Sequence, residues 1–168
     1  MKTAIVLAMH GAPPNDFPPQ EVVELLNLHK RIEHSSGSER AAMEERHTKL
    51  DAKIRAWPRT PANDPFHVGS LALAEQLQSA SGLPVILGFN EFCTPSLDQA
   101  LDQAVASGVT QVLVITPMMT RGGEHSEHDI PDAIRRAQER HTSISICYIW
   151  PFKIEVVARF LAEQIQPF

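Results

Sequence analysis

Cysteine is scarce in this sequence, and both an excess of basic residues and long apolar runs are missing. Only Cys93 and Cys147 occur among 168 residues, and both lie in apolar or strand-like context, so a disulfide framework is not indicated. We therefore expect a reduced, cytoplasmic protein. The formal net charge of −5 argues against a general nucleic-acid partner and against a membrane-surface partner.

The apolar runs are short throughout the chain. The run from Met1 to Met9 is only one strand long and ends in His10-Gly11, which is too short for the apolar region of a signal peptide. No stretch approaches the roughly 20 residues of a membrane-spanning helix. With 43% hydrophobic and 21% charged residues, the composition predicts one globular domain over residues 1–168 with a core of its own.

Four of the apolar runs are rich in Val, Ile and Leu and show no clean alternation of apolar and polar residues. This pattern is typical of strands that are covered on both faces, as in a parallel sheet. The predicted strands are Thr3–Met9, Pro84–Phe89, Gln111–Met118 and Ser143–Ile149. Since helical segments separate them, the sequence predicts an α/β fold in three layers, with a four-stranded parallel sheet and right-handed crossovers.

The helical segments begin and end at recognisable signals. Asp64, Thr94 and Asp129 each precede a helix with proline in or near its first turn, and we expect them to be N-caps. Glycine ends two of these helices. The predicted helices after the first strand's long connection are Pro65–Ser81, Pro95–Ser107, Ile130–Arg140 and Phe152–Gln164.

The first connection is much longer than one crossover requires. Residues 16–65 contain two predicted helices, Pro18–His34 and Gly37–Trp57, followed by a proline-rich stretch. We interpret them as a helical hairpin inserted at the carboxyl edge of the sheet. Two interpretations stay open at this point, a lid over a site or a surface elaboration with a structural role.

Polar side chains that bind metals or protons follow three of the predicted strands. His10 follows the first strand, Glu91 the second and His125 the third, on a glycine-rich loop. Ligands of open α/β sheets bind beyond the carboxyl ends of the strands, so these groups are expected at one edge. Two imidazoles and a carboxylate would suit a catalytic metal site with open coordination positions. Each residue taken alone is an ordinary loop residue, and His128 is expected to be an exposed neighbour.

Three stretches around these residues carry a resemblance to a known family. They read VLAMHGAP (residues 6–13), FNEFCTPSL (residues 89–97) and GEHSEHDIP (residues 123–131). In order and approximate spacing they resemble the sirohydrochlorin cobalt/nickel chelatases, the small members of the class II chelatase superfamily that includes ferrochelatase. The resemblance covers residues 1–14 and about 80–166, and it implies a chelatase-like (flavodoxin-like) fold.

The resemblance implies roles for the strand-end residues. His10 and His125 match the metal-binding histidines of the family, and Glu91 matches its active-site acid. The implied reaction inserts a divalent metal into a tetrapyrrole and releases two pyrrole protons, as a cobaltochelatase-like lyase does. The metal is a substrate, with cobalt expected first and nickel or iron as alternatives, and no organic cofactor is expected.

The loops next to these residues are expected to hold the tetrapyrrole. The expected contacts are Gly11, Arg121, Gly122 and Gly123, since backbone amides and one basic side chain suit a substrate rich in carboxylates. The sequence has Ala12-Pro13 where many relatives carry a hydroxyl and a basic residue. This departure motivates an alternative, a metal- or tetrapyrrole-binding protein of the same fold without turnover.

The resemblance also bears on assembly. Larger superfamily members pair two such lobes in one chain, so one lobe implies a homodimer by resemblance.

A metal-dependent hydrolase using His10, Glu91 and His125 is disfavoured, because no further carboxylate-rich motif supports it.

Overall fold

Apolar strands with little alternation form the centre of the molecule in a computed structural model that describes residues 2–166. The strands are β1 (Thr3–Met9), β2 (Val85–Phe89), β3 (Gln111–Ile115) and β4 (Ser145–Tyr148). All pairings are parallel and the order across the sheet is β2-β1-β3-β4, which confirms the predicted four-stranded parallel sheet. β3 ends three residues before the predicted Met118, because Pro117 has no N–H for the ladder.

Six helices are present within the described residues. They are α1 (Pro19–Ile32), α2 (Gly37–Arg55), α3 (Pro65–Ser81), α4 (Leu97–Ala106), α5 (Ile130–Arg140) and α6 (Ile154–Ile165). None of the helices within residues 2–166 combines the length and the apolar character needed to cross a membrane. The predicted single domain also includes Met1, Pro167 and Phe168, which lie outside the described residues.

The sheet has a buried core on each face. On one face, side chains of β1 and β3 pack against α4 and α5 in a cluster that includes Ala4, Val6, Val112, Leu101 and Ile130. On the other face, side chains of β1 and β2 pack against the helices that precede β2, in a cluster that includes Leu7, Phe89, Leu25, Leu50 and Ile54. The predicted three-layer architecture is therefore confirmed.

The predicted helical hairpin is formed by α1 and α2. Leu25 and Leu28 of α1 and Leu50 and Ile54 of α2 are buried in the second core. On the solvent side, Arg46 of α2 makes a two-pronged ion pair with Glu24 of α1, at 2.7 and 2.8 Å. This exposed ion pair joins the two helices and contributes little stability. The buried apolar side chains are what pack the hairpin against β1 and β2. The hairpin is thus part of one helical layer.

The helix starts confirm one predicted cap and correct two. Asp64 accepts a hydrogen bond from the His67 amide at 2.9 Å and caps α3. Thr94 is not a cap, because its hydroxyl donates to the Arg55 carbonyl, and α4 is capped by Ser96 instead. Asp129 is not a cap either, because a π-helical turn over residues 125–129 runs directly into α5 and already gives Asp129 helical backbone.

Candidate metal centre

The three strand-end residues lie together at the carboxyl edge of the sheet. His10 directly follows β1, Glu91 lies just after β2, and His125 opens the π-helical turn in the connection after β3. One ligand atom from each lies within 4.8 Å of the others. We call His10, Glu91 and His125 the strand-end cluster. The parallel order of the strands produces it, because β1 lies between β2 and β3.

The two imidazoles face each other through their Nε2 atoms, which are 3.0 Å apart. Nδ1 of His10 lies 2.8 Å from the carbonyl oxygen of Gly11, and Nδ1 of His125 lies 2.5 Å from Oδ2 of Asp129. Both of these oxygens accept hydrogen bonds, so each Nδ1 is a donor and the two Nε2 atoms are directed at each other and at Glu91. Two ring nitrogens this close either share one proton or bind a cation together.

This spacing suits a bound metal. Nitrogen ligands about 2.0–2.1 Å from a tetrahedral metal ion are about 3.3 Å apart, close to the 3.0 Å between the two Nε2 atoms. Oε1 of Glu91 lies 3.4 Å from Nε2 of His125 and 3.1 Å from Nδ1 of His10, so a negative charge stands beside the pair. The cluster can therefore hold a divalent cation or share a proton.

Asp129 belongs to the site, although the sequence analysis assigned it only to a helix start. Its carboxylate accepts a hydrogen bond from Nδ1 of His125 and fixes the orientation of that ring. The hydrogen bond from His125 to Glu91 foremost, and the one to Asp129, raise the pKa of His125 against the opposing effect of partial burial. The four-residue spacing of His125 and Asp129 along a helical turn was the signal that could have revealed the pair.

Gly11 lies where the loop after β1 touches the loop after β2. Its φ is +104°, and a β-carbon there would stand 1.9 Å from the carbonyl oxygen of Glu91. The Glu91 amide donates to the His10 carbonyl at 3.0 Å, which joins the two loops directly. In the structure Gly11 thus allows the backbone of Glu91 to approach β1, and its contact with a tetrapyrrole stays a prediction.

The other residues expected at the tetrapyrrole lie on the loop before His125. Arg121 is exposed, with its Nε 3.5 Å from Oε1 of Glu127 and its guanidinium 5.8 Å from the centre of the Trp150 ring. The Gly122 amide donates to the same Glu127 oxygen at 3.1 Å. The Gly122 amide is therefore already satisfied, whereas Gly123 lies exposed beside it. None of these residues is part of the strand-end cluster.

A cleft of about 320 Å³ leads to the cluster from one side. Residues of the α1–α2 hairpin form one wall and the starts of α4 and α5 form the other, with Glu91 and His125 at the inner end. His29 and His47 also line the cleft, and their rings are 5.9 Å apart. His128 is exposed, as predicted.

Comparison with known proteins places the chain among chelatase-related sequences. The profile of the CbiX family matches residues 68–166. The sirohydrochlorin ferrochelatase of Priestia megaterium is 28% identical over 78 residues, which are 46% of this chain and 29% of that protein. The sirohydrochlorin cobaltochelatase of Methanothermobacter thermautotrophicus is 34% identical over 59 residues, which are 35% of this chain and 41% of that protein. Each match spans less than half of the relative's own length.

A solved structure supports the fold over the whole length. The structure of a CbiX protein of cobalamin (vitamin B12) biosynthesis from Marinobacter aquaeolei VT8 superposes with a TM-score of 0.50 at 18% identity. The superposition covers 99% of both chains. At this identity the likeness concerns the fold, and it agrees with the expected chelatase-like architecture.

Proposed function

Because this chain belongs to the CbiX family, we propose that it is a chelatase that inserts a divalent metal into sirohydrochlorin or a related tetrapyrrole, in cobalamin or sirohaem biosynthesis. One observation carries the proposal: two imidazole Nε2 atoms face each other 3.0 Å apart beside a carboxylate. The named activities of the matched ferrochelatase and cobaltochelatase support the substrate.

The strand-end cluster supplies the chemistry of metal insertion. His10 and His125 would receive the metal through Nε2, and exchange with the solvent is easy because His10 is exposed. Insertion places the metal on the four ring nitrogens and displaces two pyrrole protons. Glu91, and the imidazoles once the metal has left them, are the nearest proton acceptors.

The metal is proposed as cobalt, with nickel and iron as alternatives. Imidazole and carboxylate ligands bind all three ions, and availability in the cell often decides among them. The matched relatives differ in the same way, since one is named for iron and another for cobalt. Gly11, Arg121, Gly122 and Gly123 remain the proposed contacts of the tetrapyrrole.

The organisation of the protein is also part of the proposal. We infer a single cytoplasmic chelatase domain over residues 1–168, with residues 16–65 as its helical insertion, working as a homodimer. Exposed apolar side chains along α6 support the dimer, and they include Ile154, Val156, Phe160, Leu161 and Ile165. An apolar helix face of this kind is typical of a surface that packs against another chain.

A second candidate function is binding of the metal or the tetrapyrrole without turnover. Arg121 pairs with Glu127, and the Gly122 amide donates to the same carboxylate, so two of the proposed substrate contacts are already engaged. A cluster that holds the metal while the contacts for the macrocycle are engaged elsewhere would bind the metal without inserting it.

An absorption assay separates the two functions. The protein is mixed with sirohydrochlorin and Co²⁺, and the spectral change is compared with a sample that contains no protein. We expect acceleration by the wild type, loss of nearly all acceleration in His125→Ala, and retention in His128→Ala, a matched change three residues away. A wild type that accelerates insertion of neither cobalt, nickel nor iron would leave the binding function, and an active His125→Ala protein would contradict the site assignment.

A further inference from the structure

Two arginines at the end of the inserted segment hold the loop that carries Glu91. Arg55 is the last residue of α2, and its Nη1 and Nη2 donate to the carbonyl oxygens of Cys93 and Asn90, at 2.6 and 3.0 Å. Its Nε donates to Asp51 at 2.8 Å, which fixes the guanidinium plane. Arg55 therefore grips the loop on both sides of Glu91.

Arg59 joins the loop after β1 to the loop after β2. Its Nη2 donates to the Phe92 carbonyl at 2.5 Å, and its Nη1 donates to the Ala12 carbonyl at 2.9 Å. The same side chain pairs with Asp64 and donates to the Ile54 carbonyl. With only 10% of its side chain exposed, and 1% of that of Asp64, this is a buried charge pair. Such a pair is costly to break by removing one partner.

The backbone held by Arg59 has an unusual conformation. Phe92 has a φ of +59°, in the left-handed region that residues other than glycine seldom adopt. Such a conformation persists only where the surroundings determine it. Here the Phe92 side chain is buried, its carbonyl is bound by Arg59, and the preceding Glu91 carbonyl packs on Gly11.

We propose that Arg59 is a positioning residue for the strand-end cluster, and that it fixes Glu91 relative to His10 through the carbonyls of Phe92 and Ala12. The inserted segment is then part of the framework of the metal centre, in addition to being one wall of the cleft. Arg55 lines that cleft and Arg59 does not, so Arg59 acts from behind the loop. The effect on turnover rests on the proposed function, and the effect on metal binding does not.

The two loops require the forked shape of arginine. A lysine keeps the positive charge beside Asp64, but its single nitrogen lacks the planar fork that reaches both loops at fixed angles. We expect Arg59→Lys to fold and to weaken Co²⁺ binding at the cluster by about 10- to 100-fold, the usual range for residues that orient metal ligands. The rate of chelation should fall similarly, while KM for the tetrapyrrole stays unchanged.

The experiment measures Co²⁺ binding by its visible absorption, together with kcat and KM, in matched variants. Arg135→Lys on α5 is the control, since within the described part of the chain Arg135 makes only exposed ion pairs, with Asp132 and Glu139. Added guanidinium should restore Co²⁺ binding to Arg59→Ala and leave Glu91→Gln unrestored. A merely structural role of Arg59 would lower thermal stability without this rescue.

Each outcome decides the proposal. A folded Arg59→Lys protein with the Co²⁺ affinity of the wild type overturns it. If the Arg59 variants do not fold, Arg55→Lys decides, because Arg55 is less deeply packed and grips the same loop; unchanged Co²⁺ affinity there overturns the proposal as well. A wild type that binds Co²⁺ without chelating defeats only the proposed function, since the Co²⁺ affinities still test the positioning role.

Discussion

Each imidazole of the strand-end cluster directs Nε2 into the cluster because its other nitrogen bonds a group outside it. Nδ1 of His10 donates to the Gly11 carbonyl, and Nδ1 of His125 donates to the Asp129 carboxylate. A carboxylate behind a ligating histidine increases the basicity of the ring and fixes its tautomer. The affinity of the cluster for a cation therefore depends on Gly11 and Asp129, which hydrogen-bond to the two histidines.

Gly11→Ala tests the contact between the loop after β1 and the loop after β2. We expect a loss of about 3 kcal/mol or more in the free energy of unfolding, because the new methyl would stand 1.9 Å from the Glu91 carbonyl oxygen. Co²⁺ binding should be lost with it. Urea unfolding and Co²⁺ titration measure the two effects.

Gly82→Ala is the matched control for that change. Gly82 also has a positive φ, of +68°, but no atom of the described residues lies within 4 Å of a β-carbon there. It should cost only about 1 kcal/mol, the left-handed backbone penalty, and leave Co²⁺ binding intact. Equal losses in the two variants would show that the loop contact is unimportant.

Tyr148 gives a pH dependence that can be read in isolation, since it is the chain's single tyrosine. Burial foremost, and the negative charge of Glu127, raise its pKa to about 12. The phenol is therefore neutral in the native state at a pH where the unfolded chain ionises. Stability from this group is complete below pH 10 and is lost as the pH rises toward 12.

The near-ultraviolet absorption of the phenolate follows this titration. We expect a midpoint near 12 in the native protein and near 10 in urea. Tyr148→Phe should remove the signal and flatten the alkaline part of the stability profile. A native midpoint equal to that in urea would contradict the structural burial of the ring.

At the scale of elements, the π-helical turn is the feature that aims His125 at His10. The turn covers residues 125–129 and continues into α5. Its buried Ser126 donates to the Gly123 carbonyl at 3.0 Å, and the Tyr148 hydroxyl donates to the Ser126 carbonyl at 3.2 Å. Single π turns inside helices occur frequently at functional sites, and here the turn places His125 and Asp129 on one side.

The cap of α4 offers a prediction at the same scale. Ser96 accepts from the Gln99 amide, and the Gln99 side chain accepts from the Ser96 amide, at 3.3 and 2.9 Å. Ser96→Ala should lower the free energy of unfolding by about 1 kcal/mol. Ser36→Ala should change it little, because Ser36 precedes α2 without a side-chain cap bond. Denaturant unfolding of the two variants makes the comparison, and similar values would contradict the capping role.

At the scale of the whole molecule, α6 has an apolar face that residues 2–166 leave exposed. Val157 is buried, whereas Phe160 and Leu161 of the same helix are not. We expect light scattering to give twice the 18.6 kDa of one chain. Phe160→Glu should shift the protein to the monomer, because a charge in an apolar interface is costly to desolvate. Glu163→Gln is the control on the same helix, and a wild-type monomer that is active would exclude the dimer.

The sequence by itself determined the layers of this protein and the edge of the sheet at which the strand-end cluster lies. Continuous apolar runs predict buried parallel strands, and a parallel sheet brings the residues that follow its strands to one edge, so His10, Glu91 and His125 could be found from local patterns. Only the tertiary structure decided what holds them. Arg59, Gly11 and Asp129 act through contacts with specific carbonyls and ring nitrogens, and Ser96 replaces Thr94 as a cap because the hydroxyl of Thr94 bonds to α2. Most of these contacts join segments far apart in the chain, where periodicity carries no information, and only the four-residue spacing of His125 and Asp129 left a local signal.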